Sequence, residues 1–148
     1  MQFRFVLAVS LLASSIGAAA QMPEKPLMRP RIFGISHIAV YTSNPDATDH
    51  FYREVIGAVK LPDPENPKGV RYALSATQFI EVLPWPADAG INRLDHTAWN
   101  TDDAESLRRF LGSKSWKVPY RVEKAADGTL WFEVKDPEGN KVQFVQLP

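Results

Sequence analysis

The chain has 148 residues, with 17 basic against 17 acidic side chains, three His and no Cys. Balanced charge without a polybasic run argues against nucleic acid and against an anionic membrane surface as partners. The absence of Cys excludes disulfides, thiol nucleophiles and thiolate metal sites.

The first 20 residues read as a cleaved secretory signal. Arg4 supplies a positive start, Phe5 to Leu12 an apolar stretch, and Ala18-Ala19-Ala20 a small-residue cleavage pattern. The apolar stretch is too short to span a bilayer, and no second one follows. The expectation is therefore an exported protein, periplasmic or secreted, with no membrane contact once the signal is removed. About 130 residues remain, which is one domain with a real core. Residues 21–31 are rich in Pro and read as a linker. The domain proper is expected over 32–148, as modules of about 32–84 and 93–148.

In the first module, Phe33 to Tyr41 is rich in Ile and Val and reads as a strand. His37 shares its face with Ile35, Ala39 and Tyr41. Asn44 offers an N-cap and Pro45 a first helical position. Ala47, Phe51 and Val55 recur at helical spacing with Tyr52 and Ile56 beside them, and Gly57 closes the helix. A short strand at Ala58 to Leu61 precedes a loop over 61–69, which holds three Pro and a Gly. Val70 to Leu74 and Thr77 to Leu83 follow as strands joined by a turn at Ser75-Ala76. Glu81 lies among Phe79, Ile80, Val82 and Leu83, a carboxylate inside an apolar run.

After a connector over 84–92, the second module repeats the plan. Arg93 to Asn100 is a strand with Leu94, His96 and Ala98 on one face. Thr101 or Asp102 caps a helix that runs to Leu111 and ends at Gly112, with Asp102 and Glu105 fitting a capping box. Val118 to Glu123, Thr129 to Lys135 and Val142 to Leu147 are the remaining strands. Asp127-Gly128 makes a hairpin turn, and 136–140 a second turn.

The two modules match at their key polar positions. His37-Ile38-Ala39 is answered by His96-Thr97-Ala98, 59 positions later. Glu81 is answered by Gln143 at nearly the same offset. A repeat of this length is a duplicated supersecondary unit. A polar residue inside an apolar strand face needs a partner. Four of them at matching places point to a shared one. His, Glu, His and Gln all offer donor atoms for a metal ion. The third histidine, His50, lies between Asp46 and Glu54 and reads as a solvated helix face. Arg71 and Arg93 suit an anionic substrate or simply an exposed strand and loop. Tyr41, Trp99 and Trp131 suit a cleft lining or the core.

Five segments carry a family resemblance. They are Gly34 to Val40, Phe51 to Gly57, Phe79 to Val82, Leu94 to Ala98, and Asp136 to Gln143. In this order they resemble the vicinal oxygen chelate superfamily, which includes glyoxalase I, extradiol dioxygenases, methylmalonyl-CoA epimerase and bleomycin-binding proteins. The resemblance implies an α+β fold of two β-α-β-β-β modules forming a pseudo-symmetric mixed-sheet cleft. It implies metal ligands at His37, Glu81, His96 and Gln143, holding a divalent ion such as Zn, Ni, Mn or Fe(II). Gln143 departs from the glyoxalase-like members, which carry Glu there. A neutral amide still binds a cation but cannot move a proton, so Glu81 becomes the expected base. Lyase or isomerase chemistry on a small vicinal-oxygen substrate is favoured over dioxygenase chemistry. The alternative is a metal-free binding protein of the bleomycin-resistance type. A homodimer is a further expectation from the resemblance.

Overall fold

The computed structural model describes residues 26–88 and 90–148. The expected signal and the first part of the linker lie outside them. Among the described residues, no helix is long and apolar enough to cross a membrane.

Eight strands form one curled sheet. In the first half these are β1 (Ile32–Thr42), β2 (Val59–Pro62), β3 (Val70–Ala73) and β4 (Phe79–Pro84). The second half contributes β5 (Leu94–Thr101), β6 (Glu123–Lys124), β7 (Leu130–Lys135) and β8 (Lys141–Gln146). The spatial order is β2-β3-β4-β1-β5-β8-β7-β6. Read from either end, it is the same module. β1 and β5 pair antiparallel at the centre, and each pairs parallel with the last strand of its own module. The architecture is α+β, two β-α-β-β-β modules in one mixed sheet.

Each module has its own small core on the outer face of the sheet. In the second, α2 (Ala104–Ser113) lays Ala104 and Leu107 against Phe132, Val134 and Phe144. Burying the Leu, Val and Phe side chains contributes roughly 1.5–3 kcal/mol each. In the first, Tyr72, Val82 and Ala58 gather Val40, Tyr52, Val70 and Ile80.

The first helix is capped as expected. Asn44 Oδ1 accepts from Ala47 N at 3.1 Å, and Pro45 begins α1 (Pro45–Asp49). From His50 to Val55 the helix widens to a π-helical turn, closed by Ile56 N donating to Phe51 O at 2.9 Å. That widening breaks the expected apolar stripe. Tyr52 stacks on Tyr72 with ring centroids 4.9 Å apart, while Phe51, Val55 and Ile56 stay exposed.

Three local expectations are corrected. The N-cap of α2 is Asp103, which accepts from Ser106 N at 2.9 Å. Asp102 instead binds Arg31 through both its backbone N and its Nε. Gly112 lies inside α2, and Ser115 takes the left-handed conformation beyond it. The strand expected over 118–123 is reduced to Glu123–Lys124. Pro119 has no N–H for a ladder there, and Val118 and Val122 serve as core padding instead.

Candidate functional site

The sheet's symmetry builds the site. In the central pair, His37 lies opposite Ala98 and Ala39 opposite His96. Across the parallel pairs, Ala39 also neighbours Glu81, and Ala98 neighbours Gln143. Each alanine is therefore flanked by a histidine and by the polar residue of its module's last strand. Both alanines are fully buried. Their single methyl groups leave the inner face open for the larger side chains to lean together.

Three of the four expected residues converge. His37 Nε2 lies 3.1 Å from His96 Nε2, and each lies 3.5 Å from Glu81 Oε2. A circle through these three atoms has a radius of about 2.0 Å, the length of a bond from zinc to nitrogen or oxygen. All three side chains are buried, and Glu81 Oε2 has no hydrogen-bond partner. A buried carboxylate oxygen facing two imidazole nitrogens without a partner fits a cation. These three donors could hold a metal ion.

Gln143 is buried on the same face but is engaged elsewhere. Its Nε2 donates to Glu65 Oε2 at 2.8 Å, while its Oε1 is buried and unpartnered. Glu65 comes from the Pro-rich loop between β2 and β3 and joins the two modules across the cleft. Its other oxygen accepts from Arg71 Nη2 at 2.8 Å, and the same Nη2 lies 3.1 Å from Asp63 Oδ1. Arg71 sits over the Phe79 ring at 4.3 Å, and Phe79 stacks on His37 at 4.4 Å. Arg71 is thus a half-buried member of the site and not an exposed strand residue. Asp63 and Glu65 were missed from the sequence, where the only signal was two acids in a Pro-rich loop.

Charge in this cluster follows burial. Burial, then the repulsion of His96 and Arg71, pushes His37 down to about 2, so it is a neutral donor. Burial, then the Asp63 carboxylate and then Glu65, lifts Glu81 to about 9 against the pull of Arg71. Burial also raises Glu65, opposed by Arg71 and Gln143. Asp95, next to His96, goes the other way. Burial would raise it, but hydrogen bonds from His96, Tyr41 and Lys141 together hold it below the usual carboxylate range.

The remaining candidates separate cleanly. Tyr41 bonds Asp95 at the edge of the cluster. There a cavity of about 470 Å³ is lined by Tyr41, Lys68, Leu83, Trp85, Asp95 and Lys141 among others. Arg93 lies over Trp85 at 3.8 Å. Trp99 packs edge-on against Phe144 on the outer face, away from the histidines. Trp131 is half-buried on β7, and His50 is exposed, as expected. Ile35 pairs with Trp99, and Leu94 with Val40. Both therefore lie off the histidine face, contrary to simple strand alternation.

A family model described as Glyoxalase/Bleomycin resistance protein/Dioxygenase superfamily matches residues 34–144. No curated protein matches the sequence. Among solved structures, methylmalonyl-CoA epimerase from Mycobacterium tuberculosis is 14% identical with a TM-score of 0.64, covering 86% of this chain and 93% of its own. A variant of the Streptomyces coelicolor methylmalonyl-CoA epimerase, in complex with 2-nitronate-propionyl-CoA, is 18% identical with a TM-score of 0.63. That match covers 79% of this chain and 99% of the epimerase. At these identities the likeness is one of fold.

Proposed function

The chain belongs to the glyoxalase/bleomycin resistance protein/dioxygenase superfamily, and we propose that it is a metal-dependent isomerase or lyase acting on a small substrate with adjacent oxygens. The observation that carries this reading is the buried triangle of His37 Nε2, His96 Nε2 and Glu81 Oε2. Gln143 Oε1, buried and unpartnered, is the fourth donor in this reading. A divalent ion held there would polarise the substrate oxygens and offset the negative charge that develops on them. Zn, Ni, Mn and Fe(II) all suit the donors.

Proton transfer falls to this chain's own carboxyls. Glu81 as ligand is committed to the ion. Glu65 stands at the rim of the same cluster, raised by burial above its ordinary value against the pull of Arg71 and Gln143, and is the proton-transfer group in this reading. Gln143 and Arg71 hold its two oxygens in place. A neutral amide at position 143 thus steers a carboxyl from the loop in place of carrying one itself. Proton removal and return at a carbon beside a carbonyl is isomerase or lyase chemistry. This favours it over oxygen insertion, which the two-His, one-carboxylate set also permits.

The same reading has the enzyme exported, on the strength of its signal-like first 20 residues. An exported enzyme meets its substrate outside the cytoplasm, so the CoA esters of the structural neighbours are not assigned to it. A homodimer is also proposed. Phe33 and Ile35 on β1 and Trp99 on β5 leave apolar surface exposed that a second copy would cover, and sedimentation checks it.

The test is carbon-bound proton exchange. Zinc- and manganese-loaded protein is incubated in D2O with a panel of small 2-hydroxy ketones and 2-oxo acids, and C–H signals are followed by NMR. The proposal expects exchange that needs the ion and is lost in Glu65→Gln. A protein that takes up no ion, yet binds panel members reversibly, would establish the metal-free binding alternative.

A further inference from the structure

A β-bulge precedes each histidine of the cluster. The β1–β5 pairing steps from Ile35 opposite Trp99 to His37 opposite Ala98, so Ser36 is the extra residue on β1. It steps from Ala39 opposite His96 to Val40 opposite Leu94, so Asp95 is the extra residue on β5. The two bulges are related by the same pseudo-twofold as the histidines. In a regular strand the residue before a histidine points to the opposite face. A bulge cancels that alternation locally. Ser36 and Asp95 therefore reach the rear nitrogens of their own neighbours. Ser36 Oγ lies 3.3 Å from His37 Nδ1, and Asp95 Oδ2 lies 2.7 Å from His96 Nδ1.

The two contacts differ in kind. An ionised carboxylate only accepts, so the proton of His96 sits on Nδ1 and its Nε2 presents a lone pair. Asp95 is itself held through its other oxygen, Oδ1, which accepts from Lys141 Nζ at 2.9 Å and from the Tyr41 hydroxyl. A serine hydroxyl both donates and accepts, so it suits either tautomer of His37. The 3.1 Å separation of the two Nε2 atoms then has a simple meaning in the metal-free protein. His37 Nε2–H donates to the bare Nε2 of His96, while the Ser36 hydroxyl donates to His37 Nδ1.

We propose that Asp95 and Ser36 are positioning residues for the ligand pair. Asp95 locks His96 as a permanent donor, and Ser36 lets His37 move its proton from Nε2 to Nδ1 when a cation arrives. This inference rests on the metal-binding reading above. It gives the duplicated site one fixed and one adjustable histidine, and it lets the metal-free cluster satisfy its own buried nitrogens.

Nitrogen-15 NMR of the imidazoles in the full mature chain, without metal and with zinc, reads the tautomers directly. The expected spectrum without metal has His96 protonated at Nδ1 and His37 at Nε2, and with zinc both carry the proton at Nδ1. Zinc affinity, by competition with a chromogenic chelator, should fall about 10- to 100-fold in Asp95→Asn and less in Ser36→Ala. A metal-free His96 protonated at Nε2, or an Asp95→Asn variant that binds zinc as wild type does, would overturn the inference alone. Wild type that takes up no zinc overturns the metal reading and this inference together. The wild-type spectra keep the test decisive even where a variant folds poorly.

Discussion

The two modules share a backbone plan but divide the work. The second module holds the better core, with α2 seated on Phe132, Val134 and Phe144. The first has a helix with no buried residue and leaves Phe51, Val55 and Ile56 exposed. Yet the first module supplies Asp63, Glu65, Arg71 and Glu81, most of the charge in the cleft. The second contributes one fixed histidine, the Asp95–Lys141 pair behind it and a neutral amide. Duplication fixed the symmetric alanine and histidine positions at the centre. Divergence then placed stability on one side and ionisable chemistry on the other.

Removing charge from the first module should have the greatest effect on the ion. Glu81→Gln should cut divalent-ion affinity on the order of a hundredfold or more, since even outer-shell partners are worth 10- to 100-fold; calorimetric titration measures it. Unchanged affinity would move the ion site away from β4.

The stability contrast comes next. Leu107→Ala, at a fully buried position on α2, should cost about 2–5 kcal/mol in denaturant unfolding. Phe51→Ala on the first helix should stay within about 0.5 kcal/mol. Similar losses at both sites would mean that the first helix is packed better than its exposure implies.

A pH series sharpens the contrast further. His37 has a folded value of about 2, below its ordinary 6.5, so its contribution is complete above pH 6.5. Glu81 has a folded value of about 9, above its ordinary 4.5, so the folded state binds the extra proton between those values. From pH 6.5 to 9, metal-free stability should therefore fall, because folded Glu81 keeps a proton that the unfolded chain has released, and Glu81→Gln should flatten that slope. A wild-type profile that is flat or rises from pH 6.5 to 9 would contradict the buried, neutral Glu81. The smallest effect is expected from Gln143→Glu. It should raise ion affinity modestly while repelling Glu65, so that binding improves and proton exchange slows.

Much of this was legible in the sequence because it depends on local pattern. The repeated His-x-Ala, the apolar runs around Glu81 and Gln143, and the turns at 127–128 and 136–140 gave the modules and the convergence of His37, Glu81 and His96. What escaped depends on departures from regularity. Alternation placed Ile35 and Leu94 with the histidines, and bulges at Ser36 and Asp95 moved them away. A π-helical turn spoiled the stripe through Phe51 and Val55. Pro119 shortened β6 to two residues. Glu65 was invisible because a Pro-rich loop has no periodicity from which a direction can be read, although it makes the contact that ties Gln143 to the first module.

The most direct measurement is elemental analysis of the untagged protein purified without chelator, beside His37→Ala and His96→Ala. Close to one divalent ion per chain is expected in the wild type and little in either variant. A wild type free of metal, and unable to take up Zn, Ni, Mn or Fe(II), would contradict the metal reading and leave the cleft as a binding site without an ion.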